Sequence, residues 1–324
     1  MKKTLKLLVG IAISGLFLWL AFRKSDIRQV LLIMRSARIE LIVASLGIGI
    51  LGLFVRSYRW KLLGSKYRTV PYHNFFRATT MGLMLNTFLP FRTGDIFQGY
   101  FIARSSGLAQ SYTLATVFME RLMDFVPPAL MLVIGSFFVV LPPQIKLSRL
   151  VLLFAVVAGG IISVIILRKK FVAFMSCFLH DRHCDKIGHL LENVVTALGF
   201  LKDRQVLTRA IPLTLANWFI LSNAGTFLIL SSLNIHVSFF QSFLILGITV
   251  MSVAIPASPG FVGTWEFFCA LALSIFHVDR DRALSYAVVS HILAFLPIVV
   301  IGLFFMIKEF LLKKFPHPVA QLDK

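Results

Sequence analysis

The sequence predicts an all-α polytopic membrane protein, with about six full transmembrane helices plus two re-entrant helical hairpins in an inverted repeat. Three observations carry that prediction. Of 324 residues, 58% are hydrophobic and only 15% charged, against roughly 45–50% and 25% in soluble domains. The apolar residues lie in blocks, many of them close to the roughly 20 residues that a bilayer-crossing helix needs. Two of these blocks are split by Pro/Gly-rich polar motifs, and irregular backbone at membrane depth persists only inside protein or beside a watery cavity. The formal charge of +19 does not point to nucleic acid, because the basic residues cluster between apolar blocks, as topology and anionic headgroups demand.

The elements follow in order. The start, "MKKTLKLLVGIAISGLFLWLAFRKS", resembles a secretory signal but has no small-x-small cleavage site before Arg23, so 5–22 reads as an uncleaved first span. The link "RKSDIRQVLLIMRSAR" reads as an interfacial amphipathic helix. Residues 39–58 form the second span, and Arg56 and Arg59 at its end are expected to contact headgroups at the interface. Region 72–104 is the first hairpin, split at Leu89–Asp95. Full spans follow at 112–140 and 148–167, then a cytoplasmic basic linker over 168–206. The stretch "HDRHCDKIGH" within it has metal-capable side chains without a recurrent ligand spacing, and reads as a solvated loop. A span at 207–232 precedes the second hairpin, 238–276, split at Ile255–Glu266. A last full span covers 284–307, and the tail is a short basic interfacial end. Cys177, Cys184 and Cys269 show no CxxC spacing and imply no disulfide framework.

The two split regions share an order. Each has an apolar half-helix, a Pro-x-x-x-Gly motif, an acid (Asp95; Glu266) and a second half-helix, followed by a span that carries polar groups. With both termini in the cytoplasm, the first hairpin enters from inside and the second from outside. Repeat halves 39–141 and 207–307 within one transmembrane domain, 1–324, describe that arrangement.

The candidate binding residues sit at these breaks. A half-helix starting near Gly94 and another near Thr264 would aim free N–H groups at a midplane anion, with Arg92 adding a full charge. Asn86, Pro90, Asp95, Pro259, Gly260, Gly263 and Glu266 complete that set. The bland alternative has Asp95 and Glu266 neutralising the helix ends themselves. In "FMERLMDFV", Glu120 and Asp124 share a helix face and Arg121 can pair with Asp124. That pairing leaves Glu120 to meet Arg92 or a substrate, and the three either contact substrate or lock the span to the first hairpin. Glu120 and His291 are candidates for a proton relay, and a hydrogen-bonded packing role for His291 is the bland counterpart. No catalytic residue, metal site or cofactor is expected, since no nucleophile–base pair, paired metal carboxylates or phosphate loop stands out.

At "LPFRTGDIFQGYFIAR", "FMERLMDF", "PASPGFVGTWEFF" and "RSYRWKLL" the chain resembles the lysylphosphatidylglycerol synthase transmembrane-region family, the flippase-like domain of the multiple peptide resistance factor and its stand-alone relatives. Pro90, Gly94, Asp95, Glu120, Arg121, Pro259, Gly260, Gly263 and Glu266 fall on positions that recur there, while Gln98 and Trp265 stand where many relatives carry a basic residue. The resemblance implies a bacterial-type cytoplasmic membrane and the flipping of an anionic or headgroup-modified lipid, or a polyprenyl-phosphate lipid, between leaflets. It also implies a chain without the soluble aminoacyl-transfer domain of the fused synthase. Membrane lipids are thus the expected partners. A second copy of the chain and a separate lipid-modifying enzyme remain open as protein partners. Two other classes stay in view: a membrane-embedded lipid-modifying transferase and an ion or small-solute carrier.

Overall fold

The computed structural model describes residues 14–23, 25–65, 68–89, 92–139, 203–254 and 259–311, and every regular element among them is helical. The expected span at 148–167, the linker loop with its histidines, Cys177, Cys184, the basic tail and Pro90 lie outside the described residues, as do residues 5–13 of the first span.

The chain runs from α1 (residues 14–22) to α2 (Ile27–Arg35), which Asp26 caps by accepting from the Arg28 N–H at 2.8 Å. Helix α2 buries Val30 and exposes Ile27, Leu31 and Leu32 beside its arginines, the two-faced surface expected of an interfacial helix. Helix α3 (Ile39–Gly64) has 26 residues and is about 39 Å long at 1.5 Å per residue. It runs six residues past the expected end of the second span, which places Arg56 and Arg59 inside a continuous helix.

Helix α4 (Tyr72–Phe88) stops where the sequence says it must. Leu89 is extended (φ −103°, ψ 139°), the conformation a following proline imposes. Arg92 then turns left-handed at φ 53°, and α5 (Thr93–Ser106) begins. The two helices fold back on each other antiparallel: Asp95 meets Asn86, and further along Gln98 meets the Thr79 carbonyl. Gly94 permits this approach, because a Cβ there would lie 2.0 Å from the Gly82 carbonyl oxygen. Helix α6 (Gln110–Ser136) continues through Pro127 and Pro128.

The second half of the chain is also helical among the described residues. Helix α7 (Arg204–Leu215), a π-helical turn (Ala216–Ser222) and α8 (Asn223–Ser232) make one rod. Helix α9 (Ser242–Met251) breaks before a turn at Pro259–Phe261, α10 (Thr264–Ser274) follows, and α11 (Arg280–Leu311) closes the chain. Three helices among the described residues are long and apolar enough to cross a membrane: Ile39–Gly64, Arg204–Ser232 and Arg280–Leu311. Helix α6 has the length but carries Glu120, Arg121 and Asp124 at its centre.

The halves exchange partners. Helix α4 packs on α11, where Gly302 lies so close that a Cβ would sit 2.6 Å from the Thr80 carbonyl oxygen, and Arg77 pairs with Glu309. Helix α9 packs reciprocally on α6, where a Cβ on Gly135 would lie 2.5 Å from the Leu244 nitrogen. Each half also has its own apolar core, one around Trp60, Phe75 and Met119 and the other around Ile245, Cys269 and Tyr286. Because the α4–α11 contact is backbone against backbone, Gly302→Leu should force the helices apart at a cost of about 1–3 kcal/mol or more. A lowered melting temperature of the purified protein would register it; an unchanged one would show that the seam yields.

Candidate functional site

The first polar centre is a charged cluster where α3, α5, α6 and the π-helical turn converge. Glu120 is fully buried, and its Oε1 accepts from Arg56 Nε at 3.2 Å and from Arg59 at 3.3 Å. Its other oxygen lies 3.6 Å from Arg121. Asp124 accepts from Arg59 at 2.7 Å and from the Trp218 indole N–H at 3.3 Å, and also pairs with Arg56. Asp95 accepts from Asn86 at 2.7 Å, with Arg121 at 3.3 Å and Arg92 at 3.4 Å. The arrangement follows from helix periodicity: Arg56 and Arg59 share one face of α3, and Glu120 and Asp124 share one face of α6.

Among the described residues four arginines therefore face three carboxylates, an excess of one positive charge. The spare cation is Arg92. Its side chain is 57% exposed and holds Asp95 only at 3.4 Å, whereas that of Arg59 is 1% exposed. Among the described residues, the exposed side chains near Arg92 in the chain are apolar: Phe88, Leu89 and Ile96. Buried charges tolerate such a place only when paired and hydrogen-bonded; here the buried members are paired and the partly exposed one is available.

The second centre surrounds the break before α10. Glu266 Oε2 accepts the Gly263 N–H at 2.7 Å, the glutamate half of a capping box at the start of α10, where the N-cap glycine has no side chain to return the bond. Its Oε1 lies 2.5 Å from His291 Nδ1, and His291 Nε2 lies 2.8 Å from the Gly260 carbonyl oxygen. Trp265 and Phe295 flank the imidazole, and the Trp265 indole donates to Ser290 at 3.1 Å.

The expected residues thus fall into two groups. Asn86, Arg92, Asp95, Glu120, Arg121 and Asp124 come together in the first, with Gly94 in the backbone approach beneath them. Gly260, Gly263, Glu266 and His291 form the second. Pro259 opens the turn, which packs against α4. Both half-helices start as expected, at Thr93 and Thr264. Two expectations change. Arg56 and Arg59 turn inward onto Glu120 and Asp124 instead of outward to headgroups, because α3 continues beyond Tyr58 and its last turns are covered by α6 and α7. Glu120 meets these two arginines and Arg121, while Arg92 turns to Asp95. Sequence reasoning also missed Trp218 and Thr214, which takes Arg59 at 3.2 Å, and it noted Gln98 without its partner, Arg121, at 3.1 Å. The signal for Arg59 was present in "RSYRW", where two arginines and a tryptophan share a helix face. Trp218 reaches Asp124 only through the π-helical turn, which no residue pattern marks.

No solved structure matches this chain. UPF0104 membrane protein MJ1078 of Methanocaldococcus jannaschii is 25% identical over 242 residues, covering 72% of this chain and 97% of that protein. UPF0104 membrane protein PH1989 of Pyrococcus horikoshii is 23% identical over 326 residues, covering 91% of this chain and 93% of that protein. Residues 7–302 match the family described as the lysylphosphatidylglycerol synthase TM region. That match takes in both helix breaks and the charged cluster between them, and the chain belongs to the lysylphosphatidylglycerol synthase TM region family.

Proposed function

We propose that the protein moves a lipid with an anionic headgroup between the leaflets of the cytoplasmic membrane, with the phosphate carried at the Arg92 end of the charged cluster. The observation that carries this reading is the spare arginine: a cation in excess of its carboxylates, more than half exposed, at a helix break rimmed by Phe88, Leu89 and Ile96. A charge at the bilayer centre costs about 2.5–3.5 kcal/mol on insertion scales. Arg92 offsets that cost for a phosphate by charge-assisted hydrogen bonds, and the apolar rim leaves acyl or isoprenoid tails in the surrounding lipid. The shared chemistry is a phosphate ester on a lipid, from a phospholipid or a polyprenyl phosphate.

The reciprocal packing of α4 on α11 and of α9 on α6 supports an inverted repeat, with halves 39–141 and 207–307 that rock against each other. In this reading the chain performs no chemistry on the lipid, both termini face the cytoplasm, and the hairpins enter from opposite sides.

The test is reconstitution of the purified protein into vesicles holding a fluorescent anionic phospholipid or a labelled polyprenyl phosphate. Leaflet exchange is followed by an impermeant quencher. Exchange above that of protein-free vesicles, without change in lipid mass, is expected. A modified lipid product would indicate a transferase, and ion flux without lipid exchange would indicate a carrier.

A further inference from the structure

The second centre contains one more acceptor than a neutral imidazole and a carboxylate can satisfy. A carbonyl oxygen only accepts, so His291 Nε2 must carry a hydrogen to bond Gly260 at 2.8 Å. A carboxylate also only accepts, so a hydrogen must lie between His291 Nδ1 and Glu266 Oε1 at 2.5 Å. Both contacts exist together only if the pair holds one proton more than neutral histidine and ionised glutamate, either as imidazolium with carboxylate or as imidazole with carboxylic acid. When that proton leaves to solvent, the pair passes from net neutral to one negative charge, and a single N–H remains for two acceptors. One of the two contacts is then lost.

We infer that Glu266 and His291 form a proton-binding site whose occupancy holds the loop before α10 in place. The loop is poised to respond. Gly260 and Gly263 have φ of 77° and 88°, and Phe261, which is not glycine, is held at φ 58°, a conformation that persists only when surrounding contacts enforce it. Two of those contacts are the ones this pair makes, to the Gly260 carbonyl and the Gly263 N–H. Positive charge at the start of α10 and the Gly263 N–H would hold the carboxylate once the proton has gone.

The neighbours leave the proton to this pair. On α10 and α11 the nearest other titratable groups are Cys269, which bonds Thr249 and Ser290, and Tyr286. Helices α8 and α9 carry no ionisable side chain. On α4, Arg77 is taken by Glu309 and Asn74, and Tyr72 donates to Phe54. Among the described residues no ion pair links Glu266 or His291 to any other residue, including His73 on α4, Arg28 and Arg35 on α2, and Glu40, Arg56 and Arg59 on α3. The inference rests on the loop geometry alone and does not need the lipid-exchange reading; joined to it, the site is where a proton gradient would enter the cycle.

The experiment places a nitroxide on Val262→Cys, a 45% exposed position, in full-length protein whose native cysteines are replaced by serine. Spectra are recorded in vesicles between about pH 5 and 8, the range in which histidine changes charge. The immobilised component should give way to a mobile one as pH rises. Glu266→Gln supplies an amide oxygen for Gly263 and an amide N–H for His291, so it mimics the proton-loaded pair, and its spectrum should not change with pH. His291→Phe should be mobile throughout. A spectrum independent of pH with the native pair, or the same titration in native and Glu266→Gln proteins, overturns the site. Failure of lipid exchange in the same vesicles would leave these spectra as they are, so the two readings fail separately.

Discussion

Arg92→Ala is expected to abolish leaflet exchange while leaving the fold as it is. The side chain is 57% exposed and contributes one long ion pair, so truncation leaves no buried void. Asp95 keeps its contacts with Asn86 and Arg121. What disappears is the excess charge of the cluster. A hydrogen bond to a charged group contributes about 1.5–3 kcal/mol, so phosphate affinity should fall by roughly ten- to a hundred-fold, at about 1.4 kcal/mol per factor of ten. Exchange of a labelled anionic lipid should fall to about a tenth or less, with an unaltered melting curve. Arg92→Lys should recover only part of the rate, because an ammonium lacks the planar fork that takes two phosphate oxygens at once. Native exchange by Arg92→Ala would place the headgroup elsewhere.

Glu120 should show the opposite behaviour, a large effect on stability. Its side chain is wholly buried, and Oε1 is the shared acceptor of Arg56 and Arg59. Glu120→Ala leaves the buried Arg59 and the partly buried Arg56 short of an acceptor, and breaking such a pair from one side costs about 3–5 kcal/mol. Glu120→Gln keeps an oxygen in place but removes the charge, so its melting temperature should fall between native and alanine. The double change Glu120→Gln with Arg56→Gln should recover part of the loss, since it removes a cation along with its counter-charge. Native melting of Glu120→Gln would show that Glu120 does not lock α6 to α3. Native melting with stalled exchange would move it into the transport cycle.

What the sequence made legible was local. Pro90 and the glycine after it announce the end of α4 and the start of α5, since the chain must be extended before proline and Gly94 alone fits against the Gly82 carbonyl. The same chemistry marks the start of α10 at Thr264. The charges of α6 are legible because nothing in an apolar span excuses them. What could not be read depends on which helices meet. Arg56 and Arg59 look interfacial when the span is ended at Tyr58, and only the covering of α3 by α6 and α7 turns them inward. The π-helical turn that brings Trp218 to Asp124 has no signature of its own. His291 and Glu266 lie in separate helices, and neither residue alone implies a shared proton. The exchange of partners between halves is carried by Gly135 and Gly302, single small residues whose meaning appears only with the opposing backbone in place.

A lipid phosphate seated at the Arg92 end of the cluster should be open to direct crosslinking. The most direct measurement uses an anionic phospholipid with a photoreactive diazirine beside its phosphate, activated in vesicles holding the protein, with the attachment sites mapped by peptide mass spectrometry. Attachment is expected at the α4–α5 break and the facing turn of α6, strongly reduced in Arg92→Ala and restored in part by Arg92→Lys. Attachment confined to the basic surface segments, or unchanged at the break when Arg92 is alanine, would contradict it.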